Sequence, residues 1–223
     1  MDALARVLLI AHVGAGSIAL LAAVAAISVR KGSPRHNFTG RIYFWAMMTV
    51  AITAIPVSII RPNALLFLVA LFSSYMAYAG WRLGRAARAK PNRAPFVEWG
   101  MLIVAIGMIG YGLIMAFTGM PMGWALVAFG SIGLQFAIDD VRNWTVERAF
   151  SARIQSHLQH MLGGTIATIT AVLVQQIVPR LGEGNPWAVA VWLSPTVVIT
   201  PLIALWSRHV ARTGKTRLRT TRP

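Results

Sequence analysis

The sequence predicts an all-α integral membrane protein, a bundle of seven transmembrane helices with the N-terminus outside and the C-terminus in the cytoplasm. Long apolar runs and the distribution of positive charge predict it. Of 223 residues, 57% are apolar and only 12% are charged, whereas an ordinary soluble domain has roughly 25% charged residues. Because the connections between runs are short, we expect one helical domain over residues 1–212, followed by a basic, disordered cytoplasmic tail over residues 213–223.

Seven apolar runs approach the length that a membrane helix requires, which is about 20 residues. They are Val7–Val29, Ile42–Ile60, Leu65–Trp81, Val97–Phe117, Trp124–Ile138, Ile154–Val178 and Trp187–Trp206. The fifth run is short, so we expect its helix to extend past Asp139. The first run is too long for the apolar part of a signal peptide, and Arg30 and Lys31 follow it directly. We therefore expect the first run to remain a membrane helix.

The positive charges predict the orientation. Of the 21 Lys and Arg residues, 18 lie in four stretches that alternate with the other connections. The stretches contain Arg30, Lys31, Arg35 and Arg41; Arg82, Arg85, Arg88, Lys90 and Arg93; Arg142, Arg148 and Arg153; and Arg208, Arg212, Lys215, Arg217, Arg219 and Arg222. Short loops carry their Lys and Arg on the cytoplasmic side. A net charge of +15 is also typical of nucleic-acid binding. In so apolar a chain, however, it indicates that the partner is the lipid bilayer with its anionic inner-leaflet lipids, and not nucleic acid.

Ionisable side chains in or beside the apolar runs are the candidates for function, because such groups are costly in a membrane. They are His12, His36, Glu98, Asp139, Asp140, His157 and His160. Cysteine is absent, which excludes disulfides and thiolate ligands. At a rise of 1.5 Å per residue, His157 and His160 lie roughly 6 and 10 Å beyond Arg153. Asp139 and Asp140 are expected to close the fifth helix and His36 lies in the first basic loop, so these groups can meet at the cytoplasmic end.

This inner cluster has two interpretations. His157 and His160 are three residues apart and share one helix face. Together with His36 and Asp140 they would supply ligands for a zinc, iron or copper ion. His36 with His157 or His160 could instead be the axial ligands of haem b. The alternative is a structural or proton-handling polar cluster, in which Asp140 could pair with a neighbouring arginine. No catalytic residue can be named.

His12 belongs to a second, outer level. It lies only about 9 Å from Arg6 and about 15 Å in depth from His160, so the two cannot share a metal ion whose ligand bonds are near 2 Å. Thr53 and Gln176 are predicted at the depth of His12. Glu98, at the edge of the fourth run beside Trp99, is expected to be solvated.

Three segments resemble a bacterial family of multi-pass predicted membrane proteins, catalogued as a domain of unknown function. They are "AHVGAGSIALLAAVAAISVRKGSPRHNFTGRIYFWAMM", "DDVRNW" and "ARIQSHLQHMLGGTIATITAVLVQQ", which cover the first two and the fifth and sixth helices. The positions that match the family pattern are His12, Gly16, Lys31, Gly32, His36, Gly40, Met47, Asp140, Arg142, His157, Met161 and Gln176. His160 departs from the pattern, which leaves His36, Asp140 and His157 as the firmer inner set. The resemblance implies a bacterial inner-membrane location and no particular activity.

Several functions remain open at this stage. A redox membrane protein that holds a metal ion or haem at the cytoplasmic end is favoured among the active roles. The alternatives are a metal-dependent membrane enzyme, a transporter or proton-coupled membrane protein, and a structural accessory subunit of a membrane complex. A homo-oligomer is compatible with each. The chain has no P-loop, dinucleotide fingerprint or nucleophile elbow, so the sequence does not indicate those soluble chemistries.

Overall fold

The structure, a computed structural model, describes residues 3–85, 95–142, 150–182 and 185–220. Within these ranges the chain forms seven α-helices, each long and apolar enough to cross a membrane. They are α1 (Ala3–Ser28), α2 (Pro34–Ile60), α3 (Ala64–Arg85), α4 (Pro95–Phe117), α5 (Gly123–Arg142), α6 (Phe150–Leu181) and α7 (Trp187–Thr220). The predicted all-helical fold is confirmed, and it is compatible with a multi-pass membrane protein.

Several helix boundaries differ from those of the apolar runs. α2 begins at Pro34 because the Ser33 side chain accepts a hydrogen bond from the His36 backbone N–H (3.2 Å) and proline suits the first helical position. α5 extends past Asp139 to Arg142, as predicted. α7 continues to Thr220, through most of the segment for which the sequence predicts a disordered tail; residues 221–223 lie outside the described ranges.

The turn between α1 and α2 is held by Lys31. Its Nζ donates hydrogen bonds to the carbonyl oxygens of Ala26 (3.1 Å) and Val29 (3.2 Å) and also to that of Ile27. These carbonyls lie at or beyond the end of α1, where helical partners run out. Partial burial lowers the pKa of Lys31. Gly32 follows with a φ of 77°, a left-handed conformation that glycine adopts without a steric cost. The turn therefore reverses the chain tightly and brings α2 back along α1.

α3 lies at the centre of the bundle. It packs against α2 and α6 and also contacts α4 and α5, whereas α1 packs mainly on α2, α4 on α5, and α7 on α6. Its buried Met76 belongs to a core that also includes Met108 of α4, Phe129 of α5 and Trp192 of α7. Because α3 contacts four other helices, polar side chains on its buried face can reach partners on several of them.

Glycines permit the closest helix approaches. A Cβ built on Gly123 of α5 would lie 2.2 Å from the Gly112 carbonyl oxygen of α4. On α3, a Cβ at Gly80 would lie 2.8 Å from Met161 Sδ, and one at Gly84 would lie 2.7 Å from His157 Nδ1. Small residues at such positions let membrane helices pack where lipid supplies no hydrophobic driving force.

We predict that Gly123→Ala destabilises the bundle by about 1–3 kcal/mol, because the added methyl overlaps backbone atoms that cannot move independently. Gly107→Ala is the matched control, since a Cβ there meets no atom within 4 Å. The control should raise stability slightly, by up to about 1 kcal/mol, through helix propensity. Unfolding of the two variants in mixed micelles, followed by circular dichroism, measures both effects. Equal stabilities would contradict the close contact between α4 and α5.

Candidate functional site

A buried polar cluster links α3, α5 and α6. The Tyr75 hydroxyl of α3 donates a hydrogen bond of 2.5 Å to Oδ2 of Asp140 on α5, and the same oxygen lies 2.9 Å from Nε2 of His160 on α6. Tyr75 and Asp140 are each 4% exposed and His160 is 1% exposed. Side chains from three helices thus meet at a single carboxylate oxygen.

The hydrogen bonds restrict where protons can be. Nδ1 of His160 lies 2.9 Å from the Ser156 carbonyl oxygen, which can only accept, so Nδ1 carries a hydrogen. Nε2 is then the nitrogen whose protonation varies, and it faces Asp140. One proton between Nε2 and Oδ2 gives either a neutral pair or a carboxylate with an imidazolium. Both arrangements have zero net charge, so the pair is suited to hold one proton.

The surroundings of His160 are mainly aromatic. The Phe136 ring centroid lies 4.6 Å from that of His160, and the Tyr75 ring lies at 5.8 Å. In such low-polarity surroundings an unpaired charge is expensive, and electrostatic interactions are stronger than in water. Asp139, next to Asp140 in sequence, is exposed. The two neighbouring carboxylates therefore occupy opposite environments.

An ion pair lies close to this cluster. Arg82 Nη2 near the end of α3 bonds to Oε1 of Glu98 in the first turn of α4. Glu98 is 1% exposed, so the expectation that it is solvated was wrong. The guanidinium Cζ also lies 5.9 Å from the centre of the Tyr78 ring. Burial of both charges is tolerated because each neutralises the other.

His36 and His157 form a second pair of imidazoles. Their ring centroids are 6.4 Å apart and their planes are nearly perpendicular, at 85°. His36 Nδ1 lies 3.1 Å from the Ala26 carbonyl oxygen and His157 Nδ1 lies 2.6 Å from that of Gly80. Nδ1 is therefore the protonated nitrogen in both, and Nε2 keeps its lone pair when the ring is neutral. A fixed Nδ1–H of this kind is found both in metal ligands and in proton acceptors.

The four predicted ligands are thus arranged as two pairs, Asp140 with His160 and His36 with His157. Among the described residues, no three His, Asp or Glu side chains form a group that could hold a metal ion. Both ring nitrogens of His160 already have hydrogen-bond partners, so this residue does not fit the role of a metal or haem ligand. The metal and haem hypotheses gain no support from the geometry and stay predictions.

The outer level is arranged partly as the sequence indicates. His12 Nδ1 lies 3.2 Å from Thr53 Oγ1 and 3.2 Å from the Val50 carbonyl oxygen, which confirms that His12 and Thr53 share one depth. Gln176 is exposed. His12 is therefore a half-buried histidine that joins α1 to the backbone of α2.

Sequence reasoning missed two of the contacts. Nothing in the sequence around Tyr75 points to Asp140, 65 residues away. Arg82 and Glu98 carried a weak signal, because a basic residue near the end of one apolar run and an acidic residue at the start of the next can meet across a short connection. Both contacts depend on how the helices are arranged around α3.

Comparison with known proteins gives no relative that would identify the site: no family model, no curated protein and no solved structure matches this chain.

We predict that Arg82→Met destabilises the protein by about 3–5 kcal/mol, because it leaves the Glu98 charge buried without its partner. The double variant Arg82→Met/Glu98→Leu should recover most of the loss, since an apolar pair of similar volume replaces a buried ion pair at little cost. Unfolding free energies of the wild type, both single variants and the double variant give the coupling energy directly. Additive effects would show that the two side chains do not interact.

Proposed function

We propose that this chain is a proton-coupled membrane protein in which the Asp140–His160 pair binds the proton. We place it in the bacterial inner membrane with its N-terminus outside, on the charge distribution and the resemblance described above. The proposal rests on one observation, the 2.9 Å contact between His160 Nε2 and Asp140 Oδ2 in a region where both side chains are almost fully buried. Ionisable residues inside membrane helices commonly form proton relays.

A proton suits this site better than a larger substrate does. With His160 at 1% and Asp140 at 4% exposure, a small molecule could contact neither side chain in this conformation. A proton needs only a hydrogen-bonded route or a transient water molecule. The Tyr75 hydroxyl, fixed 2.5 Å from the same carboxylate oxygen, stabilises negative charge on Asp140 when the proton is absent.

The coupling follows from charge balance. Loss of the proton held by the pair adds one negative charge to this buried region, and gain of a second proton adds one positive charge. Either state is costly where aromatic rings replace water. We therefore expect uptake or release of a proton to favour a helix arrangement in which water reaches the pair. Proton binding and the conformation of the bundle are then coupled.

His157 and His36 supply a route between this pair and the α1–α2 turn. His157 precedes His160 by three residues on the same helix face, and its ring lies 6.4 Å from that of His36, which is near the start of α2. Each offers Nε2 as a group that can accept and return a proton. Histidine suits this role because a neutral imidazole can accept a proton at one ring nitrogen and release one from the other.

The test is proton flux into proteoliposomes that contain a pH-sensitive dye, driven by a potassium diffusion potential. We expect the wild type to acidify the vesicles faster than protein-free vesicles, and Asp140→Asn to remove the difference. Asp139→Asn is the matched control: it makes the same change one residue away on an exposed side chain and should retain the flux. Wild-type flux equal to that of protein-free vesicles, or equal loss in both variants, would overturn the proposal.

A second measurement identifies the group that carries the proton. A pH-induced infrared difference spectrum should contain a protonated-carboxyl band that disappears in Asp140→Asn and persists in Asp139→Asn. Metal and haem content, measured on the same sample, tests the redox alternative separately.

We predict that His157→Phe slows proton flux by about 100-fold, the lower end of what a positioned proton-transfer group contributes, and leaves the Asp140 carboxyl band in place. Added imidazole should restore part of the rate. His12→Phe is the control, because in the described part of the chain the His12 imidazole is hydrogen-bonded to Val50 and Thr53 of α2. Unchanged flux in His157→Phe would exclude the histidine route and leave proton binding by Asp140 intact.

A further inference from the structure

An apolar groove runs along the outer surface of the bundle between α1 and α2. Small residues, among them Gly14, Ala15 and Ala46, form part of its lining, and the large side chains of Phe38 and Trp45 also border it. Phe38 and Trp45 are 58% and 66% exposed. The groove is open along its length, so in a membrane it would be in contact with lipid chains.

Arg41 lines this groove and is exposed. It lies seven residues into α2, roughly 10 Å along the helix axis from Pro34, and directly precedes the apolar run Ile42–Ile60, which places a permanent positive charge at the edge of the predicted membrane span. The sequence contains no Asp or Glu from residue 3 to residue 97, so neither α1 nor α2 offers it a carboxylate. A charge in this position is costly unless it reaches the interface or an anion.

The nearby turn adds to this charge. Arg30, Lys31 and Arg35 lie between the end of α1 and the first turn of α2 and are exposed, so that with Arg41 the segment from residue 30 to residue 41 has four basic residues and no acidic one. Phosphate is the anion that the membrane itself supplies at this depth, and guanidinium groups bind it with two parallel hydrogen bonds. The groove thus combines an apolar channel with a cationic end, which complements the two parts of a phospholipid.

We propose that the α1–α2 groove is a binding site for one anionic phospholipid, with its phosphate on Arg41 and one acyl chain along Gly14, Ala15 and Ala46. The surplus of basic residues at the turn favours an anionic headgroup over a zwitterionic one. Trp45, with its amphipathic ring beside the groove, is of the residue type that anchors at the level of lipid headgroups. This site is separate from the buried Asp140–His160 pair and does not depend on the proposed function.

Native mass spectrometry of the detergent-purified protein, incubated with equal amounts of phosphatidylglycerol and phosphatidylcholine of identical chains, tests the proposal. We expect the wild type to retain phosphatidylglycerol in preference. Arg41→Gln should reduce that preference about fivefold, since each basic residue near the surface contributes about 1 kcal/mol. Arg61→Gln, the same change at an exposed arginine in the opposite turn, should leave it unchanged. Equal effects of the two variants would overturn the site.

A second pair of variants tests the groove itself. A Cβ at Gly14 meets no atom within 4 Å, so Gly14→Leu fills the groove without disturbing the helix contact and should reduce retention of both lipids. Gly107→Leu places the same side chain on an equally open position of α4 and should have no effect. Undiminished lipid binding in Gly14→Leu would contradict the proposal. The proposal would also be contradicted if the wild type were a dimer and Gly14→Leu a monomer, because a second copy of the chain would then occupy the groove.

Discussion

A carboxylate buried among apolar helices must find its partners on neighbouring helices, and Asp140 imposes this constraint on the bundle. Its Oδ2 is shared by Tyr75 of α3 and His160 of α6. Apolar side chains surrounded by lipid have little preference for one vertical register over another, whereas hydrogen bonds between helices do. These two contacts therefore fix the heights of α3, α5 and α6 relative to one another. Any slip of a helix by one turn would leave a buried polar group without a partner.

The small residues of α3 make that register attainable. Gly80 and Gly84 lie one turn apart on the side of α3 that faces α6, where Met161 and His157 fill the space that side chains at the glycines would occupy. The close approach lets His157 Nδ1 reach the Gly80 carbonyl oxygen at 2.6 Å. Steric fit and hydrogen bonding thus support the same arrangement, and the polar cluster and the packing of α3 on α6 cannot be separated.

The position of a residue along the helix axes could be predicted from the sequence, but the lateral arrangement of the helices could not. His12 and Thr53 lie on consecutive antiparallel helices, so counting residues from the helix ends was enough to place them together. The same count placed Asp140 and His160 near one end of the bundle. It could not show that Tyr75 completes the cluster, because that contact depends on α3 lying between α5 and α6.

Glu98 shows the same limit from the other side. Its position at the start of an apolar run suggested solvation, because sequence alone does not tell which face of α4 it occupies. In the structure the face of α4 that carries Glu98 is turned towards α3, and Arg82 of α3 binds the Glu98 carboxylate. The position of a residue along a helix would be enough to predict its exposure only if the helix end were surrounded by solvent. In a seven-helix bundle, one side of each helix end faces the neighbouring helices.

Arg41 and Asp140 show how the location of a charge decides where its partner comes from. Asp140 lies inside the bundle, where the surrounding medium is protein, and the chain itself supplies the tyrosine and the histidine that compensate it. Arg41 is exposed on α2, and neither α1 nor α2 contains an acidic residue, so we propose that its counter-charge comes from outside the chain. In a bilayer the available anion is the lipid phosphate. The same cost of an unpaired charge in an apolar medium therefore underlies both the proposed proton site in the interior and the proposed lipid site at the surface.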